Sequence, residues 1–309
     1  MRFIPTTFMQ SGEFCVKAEV SGTNIASGSF VSGSETWLYY EFGSGSLRTA
    51  TETFQLEITQ GYTTRARFIV IGGGGGGGWN GLGTYGTRGG GGGAGDVKVV
   101  NNGVLYPGIY SIQKGRGGTY ADADNPTTPT YNGGTGAFSE INGGVYVLTE
   151  TIKANGGEGG FGDESDTGTR GDGGDSGAGY LGGQNNSDGS GGGAGATEDG
   201  HQATNPGTPK GGEGGDGVVI NLPYTSPTFN STLLSVGGGG GGTSADGGVG
   251  VRGGGNGSGA TNAGDSGDRY TGGGGGGGAD FAYTPPNGQG TQGGDGVVIV
   301  MFPTGSCSS

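Results

Sequence analysis

The residues that could do chemistry in this chain are few. A nucleophilic triad needs a base, and the single histidine, His201, lies in a Gly-, Thr- and Pro-rich stretch with no nucleophile pattern beside it. It reads as a solvated loop residue. Glu158, Asp163, Glu164 and Asp166 form an acidic cluster, but the Gly-Gly-X-Gly-X-Asp spacing of calcium-binding β-rolls is not met, and a solvated acidic loop is expected. The glycine runs invite a phosphate-loop reading, yet none ends in Gly-Lys-Ser or Gly-Lys-Thr, and no helix follows to present its amides. Nothing singles out an acid and base pair among 27 carboxylates. No catalytic, cofactor or metal site is therefore expected. The aromatic residues have two readings. Trp79, Tyr85, Tyr120, Tyr131, Tyr180, Tyr270, Phe281 and Tyr283 lie in or beside glycine segments. They can cap and shield packed glycine backbone, or they can contact a sugar or an outer-membrane loop. Trp79, Tyr85, Tyr270, Phe281 and Tyr283 are the candidates for receptor contact.

These side chains must be positioned by an unusual chain. Glycine supplies 87 of 309 residues, so a conventional hydrophobic core can occupy only part of the length. Such a composition reads by default as low-complexity. The junctions argue otherwise, because glycine runs emerge directly from apolar segments such as Phe68–Ile71, and others lead into ones such as Val297–Val300. The formal charge of −13, with only 14 Lys and Arg, argues against a nucleic-acid partner and points to solubility. No run of 18 apolar residues is present to span a bilayer, and residues 1–10 lack the pattern of a secretory signal. Cys15 and Cys307 match no metal or redox spacing. A disulfide between them is possible, but two free thiols in a reducing cytosol are the expectation.

Period-two alternation predicts strands at Phe14–Val20 and Phe54–Ile58, with a further strand at Trp37–Phe42. The continuous apolar run Phe68–Ile71 predicts a strand buried on both faces. Further strands are expected at Asp96–Val100, Gly108–Ile112, Val145–Thr149, Val218–Ile220 and Leu233–Leu234, and almost no α-helix. Gly156, Gly159, Gly162, Gly168, Gly171, Gly174 and Gly177 share a three-residue register, broken only at Ser165. Three is the period of an extended left-handed helix, whose amides must pair with water or with neighbouring helices. Ordering glycine costs roughly 1 to 2 kcal/mol per residue, so strands at both ends are needed as anchors.

An internal repeat stands out: Gly211–Ile220 recurs as Gly290–Ile299, each ending Gly-Gly-Asp-Gly-Val-Val-Ile. Two units of strand, glycine excursion and returning strand are expected, at Arg67–Pro223 and Thr228–Pro303. The resulting division is 1–36 as an N-terminal β segment and candidate docking region, 37–223 as a β-sandwich with the first excursion, and 224–309 as the second unit closing the domain.

Tyr39–Phe42, Phe54–Ile58 and Arg67–Gly75, followed in order by Gly93–Val97, Leu105–Ile112, Gly133–Phe138 and Gly294–Val300, resemble the glycine-rich domain of bacteriophage tail-fibre and adhesin-like virion proteins. The resemblance implies an all-β fold, a jelly-roll-like β-sandwich whose glycine-rich excursions pack as polyglycine II helices. It also implies a non-enzymatic virion protein, a tail fibre or tip adhesin, on an extracellular appendage. Its expected partners are other virion proteins, a host surface glycan or outer-membrane protein, and further copies of itself, with no membrane insertion. A head or neck fibre or capsid decoration protein, and a secreted ice-binding or surface-matrix protein, are the alternatives.

Overall fold

The computed structural model describes residues 15–43, 50–79, 88–121, 131–143, 151–162, 171–186, 189–204, 210–243, 246–259, 263–279 and 289–305. Among these the fold is all β. The strands are β1 (Lys17–Ser21), β2 (Ile25–Ser32), β3 (Glu35–Phe42), β4 (Glu52–Gln60), β5 (Thr63–Ile71), β6 (Val97–Leu105), β7 (Gly108–Lys114), β8 (Ser139–Asn142), β9 (Ile152–Ala154), β10 (Val218–Ser226), β11 (Ser231–Val236) and β12 (Val297–Pro303). The expected strand at 145–149 lies outside the described residues.

Two antiparallel sheets, in the orders β1-β4-β7-β8-β9 and β2-β3-β12-β5-β6, form a β-sandwich. In β4 the alternation read from sequence does the work. Phe54, Leu56 and Ile58 point into the core while Gln55 and Glu57 face water. Burying each such apolar side chain contributes about 1.5–3 kcal/mol. They meet Tyr40, Phe42, Phe68, Val70, Val298, Val300 and Phe302 from the opposite sheet.

A hairpin of β10 and β11 covers the outer face of the second sheet. Ile220, Leu222, Leu234 and Val236 close a second core against Ile69, Ile71, Val297, Ile299 and Met301. Phe68–Ile71 and all of β12 are therefore buried on both faces, which is why they read as unbroken apolar runs. The hairpin is tied down by a buried carboxylate on β3: Tyr224 Oη and Ser226 Oγ each donate to Glu41 at 2.9 Å.

The repeat does not make two consecutive units. β5, which opens the first excursion, pairs with β12, which closes the second, while β10 pairs with β11. The pairing is nested, because an apolar strand buried on both faces belongs between β3 and β5. Nor do residues 15–36 stand apart as an N-terminal piece, since β1 and β2 are edge strands of the two sheets. The thiol expectation is corrected as well. Cys15 is disulfide-bonded, and the sequence holds one other cysteine, Cys307, which lies outside the described residues. The neighbouring Val16 amide donates to Thr304 O at 3.0 Å, bringing the two ends of the sandwich chain together.

Candidate functional site

The glycine segments grow directly out of these strands. In residues 72–79 the amides bond with a strict period of three. Gly72, Gly75 and Gly78 donate to Asp96, Gly93 and Gly90; Gly73, Gly76 and Trp79 donate to Ala137, Gly134 and Tyr131; Gly74 and Gly77 donate to Gly294 and Thr291. Three further segments donate back, Gly157 and Gly160 to the carbonyls of Gly73 and Gly76, Gly118 and Ala121 to Gly74 and Gly77, Gly275 and Gly278 to Gly75 and Gly78. A strand would show a period of two. Three residues per turn without positive φ at any of Gly72–Gly78 is the left-handed extended helix, here with every lateral direction filled.

The same surround recurs at residues 89–96, 190–196, 237–243 and 272–279. Around these interior segments the others close a ring in which each bonds the next: 115–121, 131–138, 155–162, 171–177, 181–186, 199–204, 210–217, 246–251, 253–259, 263–268, 289–296 and back to 115–121. The result is a hexagonal lattice of polyglycine II helices about 25 Å long at 3.1 Å per residue.

Position in this lattice is written in the local sequence. Interior segments are nearly unbroken glycine, because a Cβ on Gly75, Gly92, Gly239 or Gly277 would come inside 3.0 Å of a neighbour's carbonyl oxygen. Three rim segments, 155–162, 171–177 and 210–217, carry Gly-Gly-X with the third residue on the outer side: Glu158 and Phe161, Asp172 and Asp175, Glu213 and Asp216. The three-residue register read from sequence holds for Gly156, Gly159 and Gly162 against residues 133–136 and Trp79–Tyr131, and for Gly171, Gly174 and Gly177 against 155–161. Gly168 and Ser165 lie outside the described residues.

Consecutive segments run in opposite directions. At the end next to the sandwich they join one another through residues 178–180, 196–198, 251–253 and 269–272, or continue into strands. Residues 80–87, 122–130, 163–170, 187–188, 205–209, 244–245, 260–262 and 280–288 lie outside the described residues.

Tyr85, Phe281 and Tyr283 lie outside the described residues, as do Asp163, Glu164 and Asp166 of the acidic cluster. Trp79 and Tyr270 are described, and neither is displayed: each is 7% exposed. Trp79 ends an interior segment. Tyr270, at φ +61°, sits at the sandwich end with its ring edge-on to Phe229 at 6.3 Å. Trp79 is buried at the end of its glycine segment, and Tyr270 is buried in the apolar core that the hairpin closes. Among the described residues, exposed aromatic surface comes instead from Tyr106, Tyr120, Phe161 and Tyr180, each about two-fifths exposed. Phe161 escaped the sequence reading, although its spacing of three from Glu158 was the available signal. His201 is exposed, with Nε2 3.6 Å from Glu198, and its backbone is part of the lattice: its amide donates to Glu213 O and its carbonyl accepts from Gly192. Among the described residues no group of three or more His, Cys, Asp or Glu is placed to hold a metal ion.

A family model described as a glycine-rich domain matches residues 49–303. The chain belongs to this glycine-rich domain family. No curated relative matches it. The match begins just before β4 and ends at Pro303, so the glycine-rich domain comprises most of the sandwich, the hairpin and the whole lattice.

Proposed function

We propose that this glycine-rich domain is a non-enzymatic virion structural protein, a phage tail-fibre or tip-adhesin component that presents a recognition surface at the free end of its lattice. The observation that supports this reading is polarity. Val16 and Thr304 bond each other at the end of the sandwich remote from the lattice, one β12 length from Val297 where the lattice begins. The polypeptide thus enters and leaves at the base, where a neighbouring virion protein would attach. The lattice projects the opposite way, with its backbone ordered before any ligand arrives, so that binding costs little further ordering. Recognition of a host glycan or outer-membrane protein is assigned to the exposed rim aromatics Phe161 and Tyr120, together with the sequence candidates Tyr85, Phe281 and Tyr283. The carboxylate-studded rim, with Glu158, Asp172, Asp175, Glu213 and Asp216 facing out, does not favour the ice-binding alternative, which calls for a flat uncharged array.

The test is binding of fluorescently labelled protein to a panel of bacterial cells, beside a folded variant with Tyr85, Phe161, Phe281 and Tyr283 changed to Ala. Saturable binding to some strains that the variant loses is the expected outcome. Absence of binding to every strain overturns the adhesin reading and leaves the head-fibre or decoration reading.

A further inference from the structure

A hexagonal lattice has no natural edge: an outer helix points some of its amides and carbonyls at positions where the next helix would lie. At the corner segment 181–186 three amides that find no glycine segment are instead capped by carboxylates. Leu181 N donates to Asp199 Oδ1, Gly182 N to Asp175 Oδ1 and Asn185 N to Asp172 Oδ1, each at 2.8 Å. Inside the lattice the equivalent amides donate to carbonyls at the same kind of distance, as Gly183 does to Gly192 O at 2.7 Å and Gly173 to Gly183 O at 2.9 Å. Gly182 and Asn185, three apart, point the same way, so the Asp175 and Asp172 carboxylates stand in for the carbonyls of one absent neighbour. The side chains of Asp172 and Asp175 also fill the place that neighbour would take. They interrupt an otherwise glycine-rich stretch, Gly171-Asp172-Gly173-Gly174-Asp175-Ser176-Gly177, at the two solvent-facing positions of its register.

We infer that the outer face of residues 171–177 and 181–186 is a docking site for one more extended glycine segment, supplied by a second copy of this chain, and that Asp172 and Asp175 hold it closed. The occupant follows from continuity, since the site repeats the geometry by which this lattice already accepts its own glycine segments. It follows also from sterics. At the closest approaches a Cβ would lie inside 3.0 Å of a neighbouring carbonyl, as at Gly173 against Gly192 and Gly182 against Gly173, so an entering segment needs glycine at the residues that face its neighbours. The arrangement is the lattice counterpart of charged residues that blunt an exposed sheet edge. It does not depend on the proposed role in a virion.

Three paired variants separate capping, charge and sterics. Asp172→Gly with Asp175→Gly removes the caps and the Cβ atoms; the Ala pair removes the caps but keeps each Cβ; the Asn pair removes the same charge but keeps an acceptor oxygen. Sedimentation velocity over a hundredfold concentration range reads association, and cooperative thermal unfolding confirms that each variant is folded. Only the Gly pair is expected to associate beyond the unaltered protein. No added association in a folded Gly pair overturns the inference. Equal association in all three overturns it too, because lost charge would then suffice. If the Gly pair does not fold, the same concentration series on Asp175→Gly alone decides, read against Asp175→Ala.

Discussion

The two copies of Gly-Gly-Asp-Gly-Val-Val-Ile, at residues 214–220 and 293–299, start from nearly the same sequence and end in different places. In the second copy, β12 lies between β3 and β5 with every residue buried. In the first, β10 pairs with β11 alone and alternates between buried and solvent-facing positions. The residues after the shared motif decide. Where β12 continues Val300-Met301-Phe302, β10 continues Asn221-Leu222-Pro223. Val300 and Phe302 face the sandwich core. In that slot Asn221 would bury an unsatisfied amide and Pro223 would withhold a ladder donor. Identical motifs are thus sorted by their C-terminal neighbours. Their aspartates diverge in the same way: Asp295 is fully buried 3.3 Å from the buried Lys114 Nζ and accepts from Gly117 N, while Asp216 is exposed beside Arg252.

The largest effect is expected from writing the first copy into the second. Val300→Asn with Phe302→Pro should abolish cooperative folding, whereas Asn221→Val with Pro223→Phe, at exposed positions, should change unfolding free energy by about 0.5 kcal/mol or less. Comparable losses from the two pairs in thermal denaturation would break the comparison. Next comes the aspartate pair. Asp295→Ala leaves Lys114 as a buried charge and should cost about 3–5 kcal/mol, against about 0.5 kcal/mol for Asp216→Ala, both read from urea midpoints.

Tyr224→Phe removes one of the two hydroxyl donors to buried Glu41 and should weaken the hairpin by about 1.5–3 kcal/mol. Hydrogen exchange should then speed up in β10 and β11 while β12 stays protected. A loss of protection shared by all three strands would show that the two copies unfold as one unit.

Alkaline titration sharpens the contrast between the layers. Burial pushes the Tyr110 phenol of the sandwich up to about 12, while burial and the neighbouring Glu41 carboxylate raise Tyr224 in the hairpin still further. A raised phenol contributes stability in full below its unfolded value of about 10 and loses it as pH climbs through the folded value. Stability should fall from about pH 10 upwards, and Tyr110→Phe should flatten the part of that fall due to Tyr110. The smallest effect belongs to the first copy's rim. The Lys210 ammonium holds the Glu213 carboxyl below its usual range by a hydrogen bond and by charge, so this pair stabilises above the unfolded carboxyl value and is lost as pH falls through the folded one. Lys210→Ala should cost about 0.5 kcal/mol or less at pH 7 and nothing in strong acid.

Much of the fold was legible in the residues. β4 announced itself by alternation and Phe68–Ile71 by its unbroken apolar run, because those patterns are direct consequences of one buried face or two. β2, β8 and β9 did not. Ile25–Ser32 is diluted by Ser and Gly, and β8 and β9 are only 4 and 3 residues long, so too few side chains carry the pattern. The aromatic candidates were the least legible. An aromatic residue beside glycine has the same local sequence whether it is buried, as Trp79 and Tyr270 are, or faces solvent, as Tyr120 and Phe161 do.

By itself the sequence determined that alternating or unbroken apolar runs such as β4 and Phe68–Ile71 are strands, and that glycine at every third residue of 156–162 and 171–177 makes a three-residue helix. Those properties follow from the local presence or absence of a Cβ and from apolar spacing. Only the tertiary structure decided which strand fills the slot between β3 and β5, which segments neighbour one another, and that Cys15 is bonded. These depend on pairings between residues far apart in the chain, where a backbone amide donates to any carbonyl that geometry brings within reach and the surrounding side chains alone make the choice.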